Sequence, residues 1–190
     1  MQPAKSRTRS ILYIGIALSA VLGATLISGQ LATHPEIIAL FQSLGYAGVY
    51  LAAVIAGLNA LLPIPAATLS PVFFEAGLTA EVVILTLALG TLTADLIGYA
   101  LGHNGRSLLE KKYPNIIGAT NYISTTSPWL LTLFVCAYAS FVPLPNEIIV
   151  IPLALAGTPL RLLIPPLVIG AIVNQTLLVT GASFITSITT

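Results

Sequence analysis

The chain has 190 residues, of which 56% are hydrophobic and 7% charged, with a mean hydropathy of +0.98 and a net charge of +1. Soluble domains carry about 25% charged residues, so this chain cannot cover a water-facing surface and reads as an integral membrane protein. No basic run beyond the N-terminus points to nucleic acid. The single cysteine, Cys136, lies in an apolar run, reads as a small buried hydrophobe, and excludes a disulfide framework or cysteine-based metal cluster.

Lys5, Arg7 and Arg9 precede an apolar run over residues 11–28. A cleaved signal peptide and a first transmembrane helix share that pattern; the membrane character of everything downstream favours the retained helix. Thr33-His34-Pro35-Glu36 reads as a helix start, with proline at the first position and an acid in the first turn. The stripe Ile37, Ile38, Leu40, Phe41 and Leu44 then predicts a short interfacial helix over 36–44. An apolar arm over 49–61 leads to Pro63-Ile64-Pro65, a second arm to Gly77, and a long apolar helix over 80–102 holding Asp95. Residues 103–128 form the only extended polar connection. A second arm over 129–141 then leads to Pro143-Leu144-Pro145, a short piece to Gly157, and a final helix from about 160 to 185.

The two Pro-x-Pro segments align without a gap at an offset of 80 residues. Pro63 falls on Pro143, Pro65 on Pro145, Ala76 on Ala156, Gly77 on Gly157 and Gly90 on Gly170. Self-similarity at one fixed period predicts a duplication, with repeat 1 over 49–102 and repeat 2 over 129–182 within a single membrane domain, 1–190. An arm of ~13 residues is about 20 Å long as a helix, against ~30 Å of hydrocarbon. The predicted structure is therefore all-α, with two re-entrant helical hairpins carrying Pro-x-Pro at their tips. Placing the N-terminus and the 103–128 loop in the cytoplasm puts all seven basic residues on one side, including Arg106, Lys111, Lys112 and Arg161, and puts Glu36 and Glu81 on the other. The positive-inside rule then makes the repeats antiparallel, an inverted-topology pair. Tyr46 and Tyr50 would mark one interface, and Tyr113, Tyr122 and Trp129 the other.

Inverted repeats with broken helices place a transport site where the breaks face each other. Pro63, Pro65, Pro143 and Pro145 remove backbone donors, leaving carbonyls for a polar substrate or ion; simple tight turns are the alternative role. An acid at membrane depth costs on the order of 3 kcal/mol and marks a functional candidate. Glu147, beside Asn146, lies just past the second tip. Asp95 lies roughly 22 Å into its helix. Either could carry a proton, or could be a structural carboxyl held by hydrogen bonds. Asn59 is the polar residue before the first tip, and Gln175 is the repeat mate of Asp95. Ala94, Gly98 and Gly102 form a small-xxx-small stripe suited to close helix packing. His34 and His103 have no ligand cluster around them, no nucleophile–base constellation or phosphate loop occurs, and neither enzyme chemistry nor a cofactor is expected.

At "TADLIGYALGHNGR" (93–106) and "SFVPLPNEIIVIPLALAG" (140–157) the chain resembles the DedA family, also called VTT or SNARE-associated membrane proteins, over roughly residues 45–182. Pro63, Pro65, Ala76, Gly77, Asp95, Tyr99 and Gly102 stand at the family's motif positions. The resemblance implies an inverted-repeat fold in the cell membrane, and transport or scrambling of lipids, phospholipid or polyprenyl phosphate, coupled to protons. Membrane lipids, protons and a second copy of the chain are the partners it implies. The chain departs from the family at Ala67, where the family carries Glu, and at Ser140 and Asn146, where it carries Arg. Arginine grips phosphate bidentately, so headgroup attraction would fall to Arg106, Lys111 and Lys112 at the inner surface. The same midplane site would also suit a small solute or ion, and hairpins that serve only as scaffold would make a structural subunit.

Overall fold

A computed structural model describes residues 15, 19, 22–24, 26–58, 64–112, 127–142 and 144–189, with side chains left out at 107–112 and 185–189. Lys5, Arg7, Arg9, much of the predicted 11–28 helix, Asn59, Pro63, Pro143, Tyr113, Tyr122 and the side chains of Lys111 and Lys112 lie outside these residues. The described residues are helical, in the order α1 (Pro35–Gly57), a 3₁₀ turn (Ala66–Leu69), α2 (Ser70–Glu75), α3 (Ala80–Lys112), α4 (Pro128–Phe141), α5 (Glu147–Leu155) and α6 (Leu160–Thr189). Ahead of α1, residues 22–24 and 26–31 are also helical. Among the described residues, three helices are long and apolar enough to cross a membrane: Pro35–Gly57, Ala80–Arg106 and Leu160–Phe184.

The first of these is broken. Gly45 has φ 56 and ψ −142 inside α1, a conformation that glycine reaches without a Cβ penalty. The predicted pieces 36–44 and 49–61 are thus one element that turns at Gly45. The part after the turn, residues 46–57, is about 18 Å long at 1.5 Å per residue. α4, with 14 residues, is about 21 Å long. Neither straight run matches a hydrocarbon thickness of ~30 Å.

Two expectations need correction. The helix predicted over 80–102 runs on to Lys112, so the first ten residues of the predicted polar connection are helical. Arg106, Leu108, Leu109, Glu110, Lys111 and Lys112 are good helix formers, and no proline intervenes before Pro114. The stretch from Pro65 to Gly77 is not one helix but a 3₁₀ turn followed by six residues of α-helix. Pro71 has no N–H to give to the Ala67 carbonyl, which is instead bonded by the Ser70 N–H, and the helix restarts there.

Both short arms end in the same cap. The N–H groups of Ala76, Gly77 and Leu78 bond the carbonyls of Val72, Phe74 and Phe73. Eighty residues on, those of Ala156, Gly157 and Thr158 bond Pro152, Ala154 and Leu153. Gly77 (φ 83) and Gly157 (φ 79) take the left-handed conformation that such a cap requires. Each cap is followed by two residues and then the next long helix.

Two apolar cores form. One gathers Val49, Phe73, Val83, Leu87 and Val179, with Phe41 meeting Phe73 edge-on at 5.0 Å. The other gathers Leu131, Val135, Val150, Leu163 and Leu167. α1 packs on α3, α4 on α6, and α3 in turn on α5 and α6. Small residues set these distances: a Cβ at Gly90 would collide with Ala53, one at Gly102 with Ile151 and Ala154, and one at Gly170 with Ala139. The predicted stripe on α3 is used on two neighbours, with Ala94 against Gly57 of α1, and Gly98 and Gly102 against α5. Leu85, Leu89, Leu101, Phe134, Phe141 and Leu177 point outward and are exposed. In hydrocarbon such an exterior is at home, and close packing rather than the hydrophobic effect must hold the helices together. Cys136 is half-buried rather than enclosed.

A Cβ at Gly157 would fall on the Arg106 guanidinium, whereas nothing lies within 4 Å of one at Gly77. Gly77→Ala is expected to cost about 1–2 kcal/mol through its positive φ alone. Gly157→Ala is expected to cost more, because Arg106 must also move. Thermal unfolding of the two variants in the same detergent or nanodisc checks this order; equal losses would contradict it.

Candidate functional site

Three elements bring polar side chains to one place in the middle of the bundle. α3 contributes Asp95 and, one turn earlier on the same face, Thr91. The start of α5 contributes Asn146 and Glu147, and α6 contributes Asn174 and Gln175. Together with Pro65, Ala66 and Pro145 they line a cavity of about 100 Å³. Asp95 is 1% exposed, Gln175 5%, Glu147 8% and Asn146 9%. Of the midplane residues singled out from sequence, Asp95, Asn146, Glu147, Gln175, Pro65 and Pro145 therefore converge on it. Asn59, Pro63 and Pro143 lie outside the described residues.

The polar groups are wired in pairs. The Asn146 amide donates from Nδ2 to Asp95 Oδ2 at 3.0 Å, joining α3 to the start of α5. Gln175 Nε2 donates to Thr91 Oγ1 at 3.0 Å, joining α6 to α3. The Thr91 hydroxyl spends its own hydrogen on the Leu87 carbonyl. Thr91 Oγ1 can therefore only accept, which fixes which end of the Gln175 amide faces it. Asn174 Nδ2 donates to the Ser140 carbonyl at 3.2 Å, holding the last turn of α4 against α6. Asp95 Oδ1, Glu147 Oε1 and Gln175 Oε1 are buried and, among the described residues, accept from no group. Orphaned buried acceptors of this kind call for an explanation. Three of them beside one cavity give it the capacity to accept from a proton, an ordered water or a cationic or hydroxyl-bearing group.

The proline tips do something other than the sequence suggests. The Pro65 carbonyl accepts both the backbone N–H and the hydroxyl of Thr68. The Pro145 carbonyl accepts the Ile148 N–H at 3.3 Å and, at 3.4 Å, the Tyr138 hydroxyl. Those carbonyls are satisfied within their own turns, because the chain beyond each proline resumes helical conformation immediately. The Pro65 and Pro145 carbonyls are therefore already engaged, and the side chains of Asp95, Asn146, Glu147, Asn174 and Gln175 are the polar groups seen to line the cavity.

Glu147 also packs on the α3 stripe: a Cβ at Gly98 would meet its Cγ at 3.2 Å. Tyr50 bonds Thr93 Oγ1 on α3 at 3.0 Å, while Tyr46 bonds Thr79 just before α3. Arg106 is half-buried, with its guanidinium against Gly157 just past the C-terminus of α5, an end where a cation is favoured by the helix dipole. Nearby, Tyr99 donates to the Thr158 carbonyl at 2.9 Å and stacks on His103. Thr91 and Asn174 were not among the residues singled out from sequence. The i, i+4 spacing of Thr91 to Asp95, and the adjacency of Asn174 to Gln175, are the signals that could have found them.

Comparison of the chain with protein-family models, with curated proteins and with solved structures returned no match.

If the Asp95–Asn146 bond joins α3 to α5 as described, the two residues are coupled. Asn146→Ala strands a buried carboxyl oxygen and is expected to cost about 1–3 kcal/mol. In the Asp95→Ala background the same change should cost much less. A double-mutant cycle on unfolding in detergent reads the difference; additive losses would mean the bond contributes nothing.

Proposed function

We propose that the protein is an integral membrane transporter of the DedA type. It moves lipid, a phospholipid or polyprenyl-phosphate carrier, between leaflets, with protons coupled through Glu147 and Asp95. The observation that carries the reading is the buried cavity between the two Pro-x-Pro segments, in which two carboxyls and three amides from α3, α5 and α6 meet. Such groups are expensive inside an apolar bundle and are kept where something polar passes or binds.

The architecture in this proposal is an inverted-topology pair of repeats, each with a re-entrant hairpin. Three observations support it. The caps at Gly77 and Gly157 have matching bonds at the offset of the sequence repeat. The repeat mates Asp95 and Gln175 both line the cavity. The runs over 46–57 and 128–141 are too short to cross hydrocarbon. By the distribution of its basic residues, the N-terminus and the 103–128 loop belong on the cytoplasmic side of the cell membrane.

A second reading, transport of a small solute or cation through the same cavity, is favoured by its size of about 100 Å³ and by its lining. Among the described residues that lining includes no lysine, arginine or histidine. The family's arginine positions are Ser140 and Asn146, and Arg106 is seated at Gly157 instead. A scaffold role is the third reading.

Reconstituted into liposomes with fluorescent lipids, the protein is expected to let a leaflet-specific quencher reach beyond the half that is accessible in empty vesicles. No acceleration over empty vesicles would overturn lipid transport. An imposed pH gradient should change the rate, and Glu147→Gln should slow it about tenfold or more, the scale of losing one positioned proton-transfer group, and remove that dependence. An unchanged response in Glu147→Gln would exclude Glu147 as the coupling group.

A further inference from the structure

A second space lies beside the polar cavity and differs from it in kind. It measures about 440 Å³ and is walled on one side by Ala24, Ile27 and Leu31 of the N-terminal helical segment. Residues 24, 27 and 31 recur at helical spacing, so one face of that segment is turned toward it. The opposite wall is α1 and the 3₁₀ turn. Its one polar side chain, Thr68, has given its hydroxyl hydrogen to the Pro65 carbonyl. Water in such a space would find too few partners, and enclosed apolar spaces bind apolar ligands; an apolar cavity of ~150 Å³ already accepts a benzene ring. This one is large enough for a stretch of hydrocarbon chain.

The two spaces meet. Ala56, Ile64, Pro65 and Ala66 line both. One face of this four-residue partition thus looks on carboxyls and amides, the other on apolar side chains and the engaged Thr68 hydroxyl. The polar side holds Asp95 and Glu147 and, among the described residues, no cationic side chain; three of its buried oxygens lack a donor. Those oxygens complement an ammonium group, which donates three hydrogen bonds and accepts none.

We propose that the two spaces form one amphiphile site: an ammonium head in the polar cavity and a single hydrocarbon chain in the apolar pocket against the N-terminal segment. The inference rests on the lipid reading given under Proposed function and narrows it, from lipids in general to those that present an amine rather than a bare phosphate to the cavity.

Three probes with the same C18 chain separate head from tail: oleylamine, oleyl alcohol and oleic acid. Native mass spectrometry of the full chain released from detergent is expected to show retention in the order amine, alcohol, acid. The amine should exceed the acid by about tenfold or more, the equivalent of one charge-assisted hydrogen bond. Asp95→Asn should compress that spread while leaving the alcohol unchanged. Ile64→Trp, at a position 41% exposed and therefore tolerant of bulk, should lower retention of all three alike. Ala56→Trp fills the pocket from its other wall and should do the same, with circular dichroism confirming that helix content is kept in each variant. Equal retention of the three heads would mean nonspecific annular lipid only and would overturn the inference, as would retention indifferent to both tryptophan variants. Scrambling that persists with no head preference removes this inference and leaves lipid transport standing. Head-selective retention without scrambling does the reverse.

Discussion

A carboxyl enclosed by hydrocarbon side chains has to be satisfied by its neighbours, and the arrangement of this bundle follows from how Asp95 is satisfied. Asn146 reaches it from the first turn of α5. That contact requires α5 to lie across α3 at close range, which Gly98 and Gly102 permit because side chains there would strike Glu147, Ile151 and Ala154. The close crossing in turn delivers Glu147 to the same cavity. A bond worth about 1 kcal/mol net would not by itself hold two helices. Leaving the carboxyl stranded costs more than the bond returns, so the geometry is set by what the protein must avoid.

The two halves share a frame and divide the chemistry. Their short arms end in matching caps, and an apolar core forms around each arm, the first completed by Val179 of α6. The polar residues are not shared equally. At the first tip Ala66 and Ala67 stand where the second has Asn146 and Glu147, while on the long helices Asp95 of the first faces the amide Gln175 of the second. One half thus supplies a carboxyl from its long helix, the other a carboxyl from its tip. The cavity is complete only because the halves interlock.

Much of this was legible in the sequence, for identifiable reasons. Hydrophobic runs and Pro-x-Pro give the helices and their breaks, since apolar length and a missing N–H act locally. The offset of 80 residues gives the two caps because the requirement for glycine at positive φ is met by one residue type in both copies. Asp95, Asn146, Glu147 and Gln175 stand out because polar side chains are rare in such runs. What the sequence concealed depends on partners far along the chain. Arg106 reads as a surface charge until α5 places Gly157 under it. Thr91 reads as one of many helical threonines until Gln175, 84 residues away, uses its oxygen. The proline carbonyls read as free until Thr68, Ile148 and Tyr138 are seen to take them. The extension of α3 to Lys112 was missed because polar composition was taken for loop, although those residues favour helix.

The caps at Gly77 and Gly157 carry one more mechanical meaning. Each leaves two residues, Leu78-Thr79 and Thr158-Pro159, before a helix of at least 30 residues begins. A joint that short, and already closed by three backbone hydrogen bonds, has no slack to absorb displacement. Each arm and the helix after it are therefore joined like two sides of a set square, so a displacement of either short arm would be carried into the long helix that follows it.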